Sequence, residues 1–135
     1  MDVMRTLREK MHMGASFGIS MDAAEYFRTK LFFETTPYEL KPRLEKNEVL
    51  VLDVRDRESF AKEHIPGAWN IPLEELSRNF SALPREKTVV TCCWDLTCQL
   101  APRAAIELAQ KGFKVQELIG GIEGWKNKGF PIEPK

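Results

Sequence analysis

The chain has 135 residues, of which 43% are hydrophobic, and this length and composition predict a single core. Twenty basic residues balance twenty acidic ones, so the zero net charge gives no electrostatic argument for binding nucleic acid or an anionic membrane surface. No stretch approaches the roughly 20 apolar residues of a membrane span. Because the charged first ten residues do not have the apolar region of a secretory signal, we expect a cytoplasmic protein whose thiols stay reduced.

The first thirty residues are predicted to form an N-terminal helical extension or tail, followed by one domain over residues 31–135. Apolar side chains recur in this extension at helical spacing, which favours a short amphipathic helix but is also compatible with a loose tail. These side chains are Met1, Met4, Leu7 and Met11. Such a helix would pack on the domain or on a second copy, so we expect a monomer or a homodimer formed through this segment.

Two signals for helix starts precede the core. Asp22-Ala-Ala-Glu25 resembles a capping box and predicts a short helix through Phe27. Thr36-Pro-Tyr-Glu39 predicts a second helix that ends near Glu45, because threonine can cap a helix and proline suits its first position. Between these helices, residues 31–35 have the composition of a first β-strand.

Residues 49–54 form the clearest strand, an apolar run that is typical of a strand buried on both faces of a parallel sheet. Its carboxylate, Asp53, would be costly to bury unpaired, and Arg55 is a possible partner. We interpret Asp53 as a structural group rather than a catalytic acid. His64 precedes a Pro-Gly turn and is interpreted as a hydrogen-bonding anchor, although an imidazole near a thiol could also act as a base.

The remaining elements alternate between strands and helices, which predicts an α/β domain with a parallel sheet and helices on both of its faces. The predicted helices are 58–62, a turn or two within 73–80, 104–111 and 122–128, and the predicted strands are 68–71, 88–91 and 114–118.

All three cysteines lie between the strand at 88–91 and the helix at 104–111. In parallel α/β sheets, ligands bind where a strand leads into a helix, because free backbone N–H groups and the positive helix end converge there. We therefore expect the pKa of a thiol in this turn to be lowered, which would make it a nucleophile near neutral pH. Since side chains alternate along a strand, Cys92 should point away from Cys93 and serve as a small buried hydrophobe.

Four blocks of the sequence together resemble the rhodanese-like domain family. They are Leu52-Asp-Val-Arg55, His64-Ile-Pro-Gly-Ala68, the strand that ends in cysteine, and Leu118-Ile-Gly-Gly-Ile-Glu-Gly-Trp125 followed by Gly129-Phe-Pro131. The resemblance covers about residues 31–134 and implies a three-layer α/β domain with a five-stranded parallel sheet. It also implies a sulfurtransferase that needs no cofactor: a cysteine takes a sulfane sulfur from thiosulfate, a persulfide or a polysulfide and passes it to cyanide, a small thiol or another protein.

The active loop departs from the family's usual form, in which four residues separate the cysteine from an arginine. Here Cys93 stands at the strand end and Cys98 replaces the arginine, as in a subgroup whose loop has two cysteines separated by four residues. Since a thiol cannot bind an anion as a guanidinium does, thiosulfate becomes a less natural donor, unless loop N–H groups or an arginine nearby bind it. The residues expected to contact substrate are Trp94, Asp95, Leu96, Thr97, Gln99, Arg55 and Arg103.

Two assignments of the cysteines are open. In the first, Cys93 attacks the donor and Cys98 is a relay or resolving thiol, which could also release hydrosulfide while closing a disulfide with Cys93. In the second, Cys98 carries the sulfur, because four residues separate it from Arg103 and restore the family's spacing. We favour Cys93, because the second assignment would require Arg103 to act as a cation of the loop, and Arg103 is expected on the surface of the helix instead.

Other classes of function use the same residues differently. A two-cysteine thiol/disulfide redox protein would use the pair without sulfur transfer, and a catalytically weak rhodanese-like interaction module would not need it. A phosphatase or arsenate reductase is disfavoured, because no cysteine is followed by five residues and then an arginine. A zinc site is disfavoured as well, because adjacent cysteines are poor joint ligands and neither His12 nor His64 has a suitable spacing. We therefore expect no metal.

Overall fold

The computed structural model describes residues 21–134, and the helix predicted between Met1 and Met11, with its dimer contact, lies outside this range. The chain divides into two units, Met1–Lys30 and Leu31–Lys135, and every strand found among the described residues belongs to the second. The strands are β1 (Glu34–Thr35), β2 (Val49–Asp53), β3 (Trp69–Asn70), β4 (Thr88–Cys92) and β5 (Val115–Leu118). The helices are α1 (Ala23–Phe33), α2 (Pro37–Glu45), α3 (Arg57–Lys62), α4 (Leu100–Gln110) and α5 (Gly121–Asn127), with short 3-10 helices at Leu73–Arg78 and Phe80–Ala82.

The five strands form one parallel sheet in the order β1-β5-β4-β2-β3, as predicted. The apolar strands β2 and β4 are adjacent at its centre, where Asp53 lies opposite Cys92. The Val54 N–H donates to the Cys92 carbonyl at 3.0 Å just beyond the last pair. The carboxyl ends of both strands therefore lie side by side at one edge of the sheet.

A buried apolar layer covers each face of the sheet, which confirms the prediction of helices on both sides. On one face, α4 and the first 3-10 helix contribute Ala104, Leu108 and Leu76. On the other face, α2 and α5 contribute Leu40, Ile122 and Trp125. None of the helices within residues 21–134 is long and apolar enough to cross a membrane.

The first strand is shorter than predicted, because residues 31–33 belong to helix α1. Asp22 caps this helix, accepting from the Glu25 N–H at 2.8 Å, but the helix continues past Phe27 to Phe33. Leu31 is 78% exposed, so the sheet offers it no buried position. The aromatic composition that predicted a strand does not report burial, and only Glu34 and Thr35 pair with β5.

Two helix starts set the limits of the cysteine loop. Helix α4 begins at Leu100 rather than at residue 104 as predicted, so only six residues separate it from Cys93. Helix α5 begins at Gly121, directly after Gly120, and both glycines have positive φ angles. This second helix start contacts the loop through the Ile122 and Glu123 N–H groups.

Candidate active site

Cys92 and Cys93 face opposite sides of the sheet, as the alternation of side chains along β4 predicted. Cys92 lies in the core with Leu118 and Trp125, and burial, followed by the charge of Asp53, raises the pKa of its thiol well above its ordinary value. Cys93 belongs to the other core, with Val54 and Ala101, and only 2% of it is exposed. Cys92 is therefore a structural side chain, and Cys93 is the cysteine that faces the loop.

The Cys93 thiol is a weaker acid than predicted. Burial, and then hydrogen bonding with the Cys98 side chain, raise the pKa of Cys93 to about 12. The backbone N–H groups of Ala101 and Trp94 face the sulfur and act in the opposite direction, but burial outweighs them. The expectation of a lowered pKa is therefore wrong, although the amides that would stabilise a negative sulfur are present.

Cys98 lies against Cys93 at the far end of a turn that Asp95 builds. One carboxylate oxygen of Asp95 accepts from the Thr97 N–H at 3.0 Å, from the Thr97 hydroxyl at 3.0 Å and from the Cys98 N–H at 3.1 Å. The Cys93 thiol in turn donates to the Cys98 carbonyl at 3.7 Å. Cys98 is half-buried, so this turn places a more accessible thiol next to a buried one.

The loop backbone is anchored on the first turn of α5. The Ile122 N–H donates to the Cys93 carbonyl at 2.9 Å, and the Glu123 N–H donates to the Trp94 carbonyl at 3.0 Å. Gly121 lies between them with a φ of +57°, and a Cβ there would come within 2.5 Å of the Cys93 carbonyl oxygen. Only glycine permits this approach, and the Gly-Gly pair before the last helix was the sequence signal for it.

Helix α4 is anchored from the other side by Thr91, whose role was not predicted. Its buried hydroxyl donates to the Ala101 carbonyl at 2.9 Å, which joins strand β4 to the first turn of α4. The hydrogen bond from Thr91, the residue directly before Cys92, therefore fixes the backbone at Ala101, whose N–H faces Cys93. A threonine within an apolar strand was the available signal, since a buried hydroxyl needs a hydrogen-bond partner.

Arg55 forms the predicted pair with Asp53 and is completely buried. Its Nε lies 3.0 Å from Oδ1 of Asp53, its Nη2 lies 2.8 Å from Oδ2, and Nη2 also donates to the Glu63 carbonyl at 2.7 Å. The Trp94 ring covers the guanidinium, with its centre 4.7 Å from Cζ. Nη1 is buried and has no hydrogen-bond partner among residues 21–134. Arg55 thus lies beneath the loop instead of projecting over it.

The other residues expected to contact substrate lie on the loop surface or at its exit. Trp94 is 40% exposed and Leu96 is 71% exposed, so the turn presents two apolar side chains to solvent. Thr97 and Gln99 are exposed. Arg103 is an exposed residue of α4 and donates to the Gln99 side chain at 3.3 Å, a position on the helix surface rather than within the loop.

His64 is a structural anchor, as interpreted from the sequence. Its Nδ1 donates to the Phe60 carbonyl at 2.7 Å, and its ring stacks on the Phe60 ring at a centroid distance of 3.8 Å. Its backbone also pairs with Glu133. Within residues 21–134, no group of three or more His, Cys, Asp or Glu side chains is arranged to hold a metal ion.

The sequence is similar to those of known proteins. The sequence model of the rhodanese-like domain matches residues 36–128. The chain is 36% identical over 98 residues to the HTH-type transcriptional regulator Rv0324 of Mycobacterium tuberculosis, covering 73% of this chain and 43% of that protein. It is 33% identical over 84 residues to the thiosulfate sulfurtransferase GlpE of Coxiella burnetii, covering 62% of this chain and 77% of that one.

The fold is also similar to that of solved structures. The crystal structure of the BH2092 protein from Bacillus halodurans superposes with a TM-score of 0.76 at 38% identity, covering 82% of this chain and 83% of that one. A protein from Lactobacillus plantarum superposes with a TM-score of 0.74 at 29% identity, over 82% of this chain and 95% of that one. The chain therefore spans less than half of the regulator Rv0324 but most of the other proteins.

Proposed function

Because the chain belongs to the rhodanese-like domain family, we propose that it is a cytoplasmic sulfurtransferase of a subgroup whose loop has two cysteines separated by four residues. It moves a sulfane sulfur from a donor to a thiophilic acceptor through a persulfide on Cys93. The name of the Coxiella burnetii relative, a thiosulfate sulfurtransferase, supports this class of reaction.

One observation carries the proposal: the Cys93 sulfur lies at the carboxyl end of β4 and faces two backbone N–H groups, those of Trp94 and Ala101. A persulfide carries negative charge on its outer sulfur, and N–H groups in a buried site stabilise such charge without reorganisation. The anchoring of the Cys93 and Trp94 carbonyls on α5 keeps these groups in place during the reaction.

The chemistry consists of two displacements at sulfur. In the first, the new S–S bond to the enzyme forms on the outer sulfur of the donor, and the donor's own S–S bond breaks to release a thiolate, or sulfite in the case of thiosulfate. In the second, the acceptor attacks the outer sulfur of the Cys93 persulfide, and Cys93 leaves as a thiolate that takes up a proton. No net oxidation occurs, so no redox cofactor is required.

The charges of the loop favour an uncharged or thiol-based donor over thiosulfate. Asp95 is the only charged side chain between Cys93 and Gln99, and its carboxylate is already bound within the turn. Trp94 covers Arg55, and Arg103 contacts Gln99 on the helix surface. We infer that the donor is a persulfide or polysulfide and that the acceptor is a small thiol or a protein thiol.

Mass spectrometry of the purified chain tests this function. After exposure to a cysteine persulfide, the peptide that holds residues 88–103 should gain one sulfur atom, and Cys93→Ser should abolish the onward transfer of sulfur to an acceptor thiol. Thiosulfate should load the protein more slowly than the persulfide. A chain that takes no sulfur from any of these donors would contradict the proposal.

Contact between the two thiols supports a second candidate, a thiol/disulfide redox protein. The Cys93 thiol donates to the Cys98 carbonyl at 3.7 Å, and the Cys98 side chain raises the pKa of Cys93, so the two side chains are neighbours. A two-electron oxidant such as hydrogen peroxide would join them in a disulfide and would itself be reduced to water. This candidate predicts a reversible disulfide without any gain of sulfur from a persulfide, which the same mass measurement distinguishes.

A further inference from the structure

The two thiols of the active loop differ in access to solvent. Cys93 is 2% exposed and packs in the apolar core, whereas Cys98 is half-buried in a turn whose other residues are exposed. A displacement at sulfur requires the attacking sulfur to approach the donor's S–S bond in line. A donor molecule from solution can therefore reach Cys98 more readily than Cys93.

The low acidity of the Cys93 thiol also favours Cys98 as the first thiol to react with a donor. Burial and hydrogen bonding with the Cys98 side chain raise the pKa of Cys93 to about 12, so at neutral pH it is held almost entirely as a thiol. A thiol reacts with a donor far more slowly than a thiolate does. A buried group of this kind suits a partner that is already in contact with it better than a donor in solution.

Cys98 provides that contact. The Cys93 thiol lies 3.7 Å from the Cys98 carbonyl, and the Cys98 side chain is close enough to raise the pKa of Cys93, so a sulfur atom bound to Cys98 would lie near Cys93. The Cys93 backbone is fixed by the Ile122 N–H, and the Cys98 backbone is fixed by the Asp95 carboxylate. The backbone on both sides of the transfer is therefore anchored.

We propose that Cys98 is the first sulfur acceptor and that it passes the sulfur to Cys93, an order that rests on the sulfurtransferase function proposed above. The donor is the persulfide of a small thiol. The Cys98 thiolate attacks its outer sulfur, a bond between that sulfur and Cys98 forms, the donor's S–S bond breaks, and the donor thiol leaves as a thiolate that takes up a proton from water.

In the second step, Cys93 attacks the outer sulfur of the Cys98 persulfide. The S–S bond to Cys98 breaks as the bond to Cys93 forms, and the proton of the Cys93 thiol passes to the departing Cys98 sulfur. One thiol and one persulfide exchange places, so electrons and protons balance without a further reactant. The new persulfide then lies against the Trp94 and Ala101 N–H groups, which favour its negative charge.

Asp95 is the positioning residue for this transfer. Its side-chain oxygen accepts from the N–H groups of Thr97 and Cys98, and the Asp95 carbonyl accepts from the Cys98 N–H at 3.3 Å. Loss of the side-chain oxygen would release the turn that holds Cys98 against Cys93. An asparagine would preserve it, because its side-chain oxygen accepts the same bonds.

The test is time-resolved loading of the full chain with one equivalent of cysteine persulfide, quenched by alkylation and read by peptide mass spectrometry. We expect Cys93→Ser to accumulate sulfur on Cys98 at the wild-type rate and to retain it there. In Cys98→Ser, the rate of sulfur loading on Cys93 should fall by about tenfold or more, because the buried thiol must react directly with the donor. Cys92→Ala, on the opposite face of the sheet, is the matched control and should behave as wild type.

Several outcomes would overturn this order. Loading of Cys93 in Cys98→Ser at the wild-type rate would show that Cys93 receives sulfur directly, while the sulfurtransferase function would stand. Absence of sulfur from every cysteine of the wild-type chain would instead remove the function and this order together. An independent readout needs no sulfur donor: iodoacetamide should alkylate Cys98 of the wild-type chain faster than Cys93, and the reverse would contradict the proposed access.

The Asp95 variants separate positioning from a merely structural role. Asp95→Ala should load Cys98 at the wild-type rate but transfer sulfur to Cys93 several-fold more slowly, so the ratio of the two persulfides should shift toward Cys98. Asp95→Asn should restore the wild-type ratio. A loss of stability in Asp95→Ala with an unchanged ratio would show that Asp95 has no part in the transfer.

Discussion

The two central strands end side by side at the same edge of the sheet, but their ends are held in different ways. At the end of β2, side chains make the contacts: the buried Asp53 carboxylate binds the Arg55 guanidinium, and Trp94 covers it. At the end of β4, the backbone makes them, since α5 binds the carbonyls of Cys93 and Trp94. The first arrangement uses its functional groups for stability, whereas the second leaves the thiols of the loop available for chemistry.

The largest effect is expected from breaking the side-chain arrangement. Asp53→Ala would leave the buried guanidinium without its counter-charge, and we expect the free energy of unfolding to fall by about 3–5 kcal/mol. Urea denaturation measures this. Glu75→Ala is the control, because it removes an ion pair with the exposed Arg57 at 2.6 Å and should cost less than about 1 kcal/mol. Equal losses in both variants would contradict the structural role of β2.

The backbone contacts at the end of β4 should be disrupted by a side chain at residue 121. In Gly121→Ala the new methyl group would overlap the Cys93 carbonyl at a positive φ, and we expect a loss of about 3 kcal/mol in unfolding free energy together with slower sulfur loading. Gly129→Ala separates the two causes. Its φ is +73° but no heavy atom of the described residues lies within 4 Å of the added Cβ, so it should cost about 1–2 kcal/mol and leave loading unchanged.

Alkaline pH should lower the free energy of unfolding, because it ionises the buried Cys93 thiol at the end of β4. The pKa of Cys93 is about 12 in the folded protein and about 8.5 in an unfolded chain, so the folded state holds the proton more tightly. This contribution to stability is fully present below about pH 8.5 and is lost as pH rises toward the folded pKa.

We therefore expect the stability difference between wild type and Cys93→Ala to shift by about 2 kcal/mol, against the wild type, between about pH 8 and pH 10. Urea denaturation of both proteins at each pH measures it, and the subtraction cancels the groups that they share. A difference independent of pH would show that Cys93 is not desolvated in the folded protein.

The smallest effect is expected from Cys92, whose thiol is equally buried but faces the opposite core. Cys92→Ala removes one buried atom without disturbing the loop, so we expect about 1 kcal/mol of destabilisation and an unchanged rate of sulfur loading. Denaturation and persulfide mass spectrometry measure the two quantities. A change in the loading rate would mean that both sides of β4 contribute to the chemistry.

The sequence correctly predicted structural features that depend on residues close together in the chain. The capping box of α2 is present: the Thr36 hydroxyl accepts from the Glu39 N–H at 3.2 Å, and the Glu39 carboxylate accepts from the Thr36 N–H at 3.4 Å. The Asp53–Arg55 pair also formed as predicted, because its members are two residues apart. The strand assignment of residues 31–33 was wrong, since composition alone could not distinguish a buried strand from the exposed end of a helix.

By itself, then, the sequence determined the alternation of strands and helices, the parallel sheet and the turn in which Cys93 and Cys98 lie, because these follow from local patterns of apolar residues and helix caps. Only the tertiary structure decided which of these thiols is accessible and how acidic Cys93 is. Both properties depend on desolvation by residues distant in the chain, with Gly121 and Ile122 holding the loop against the core. The spacing of residues in the sequence could not predict that burial raises the pKa of Cys93 by more than the backbone N–H groups facing its sulfur lower it.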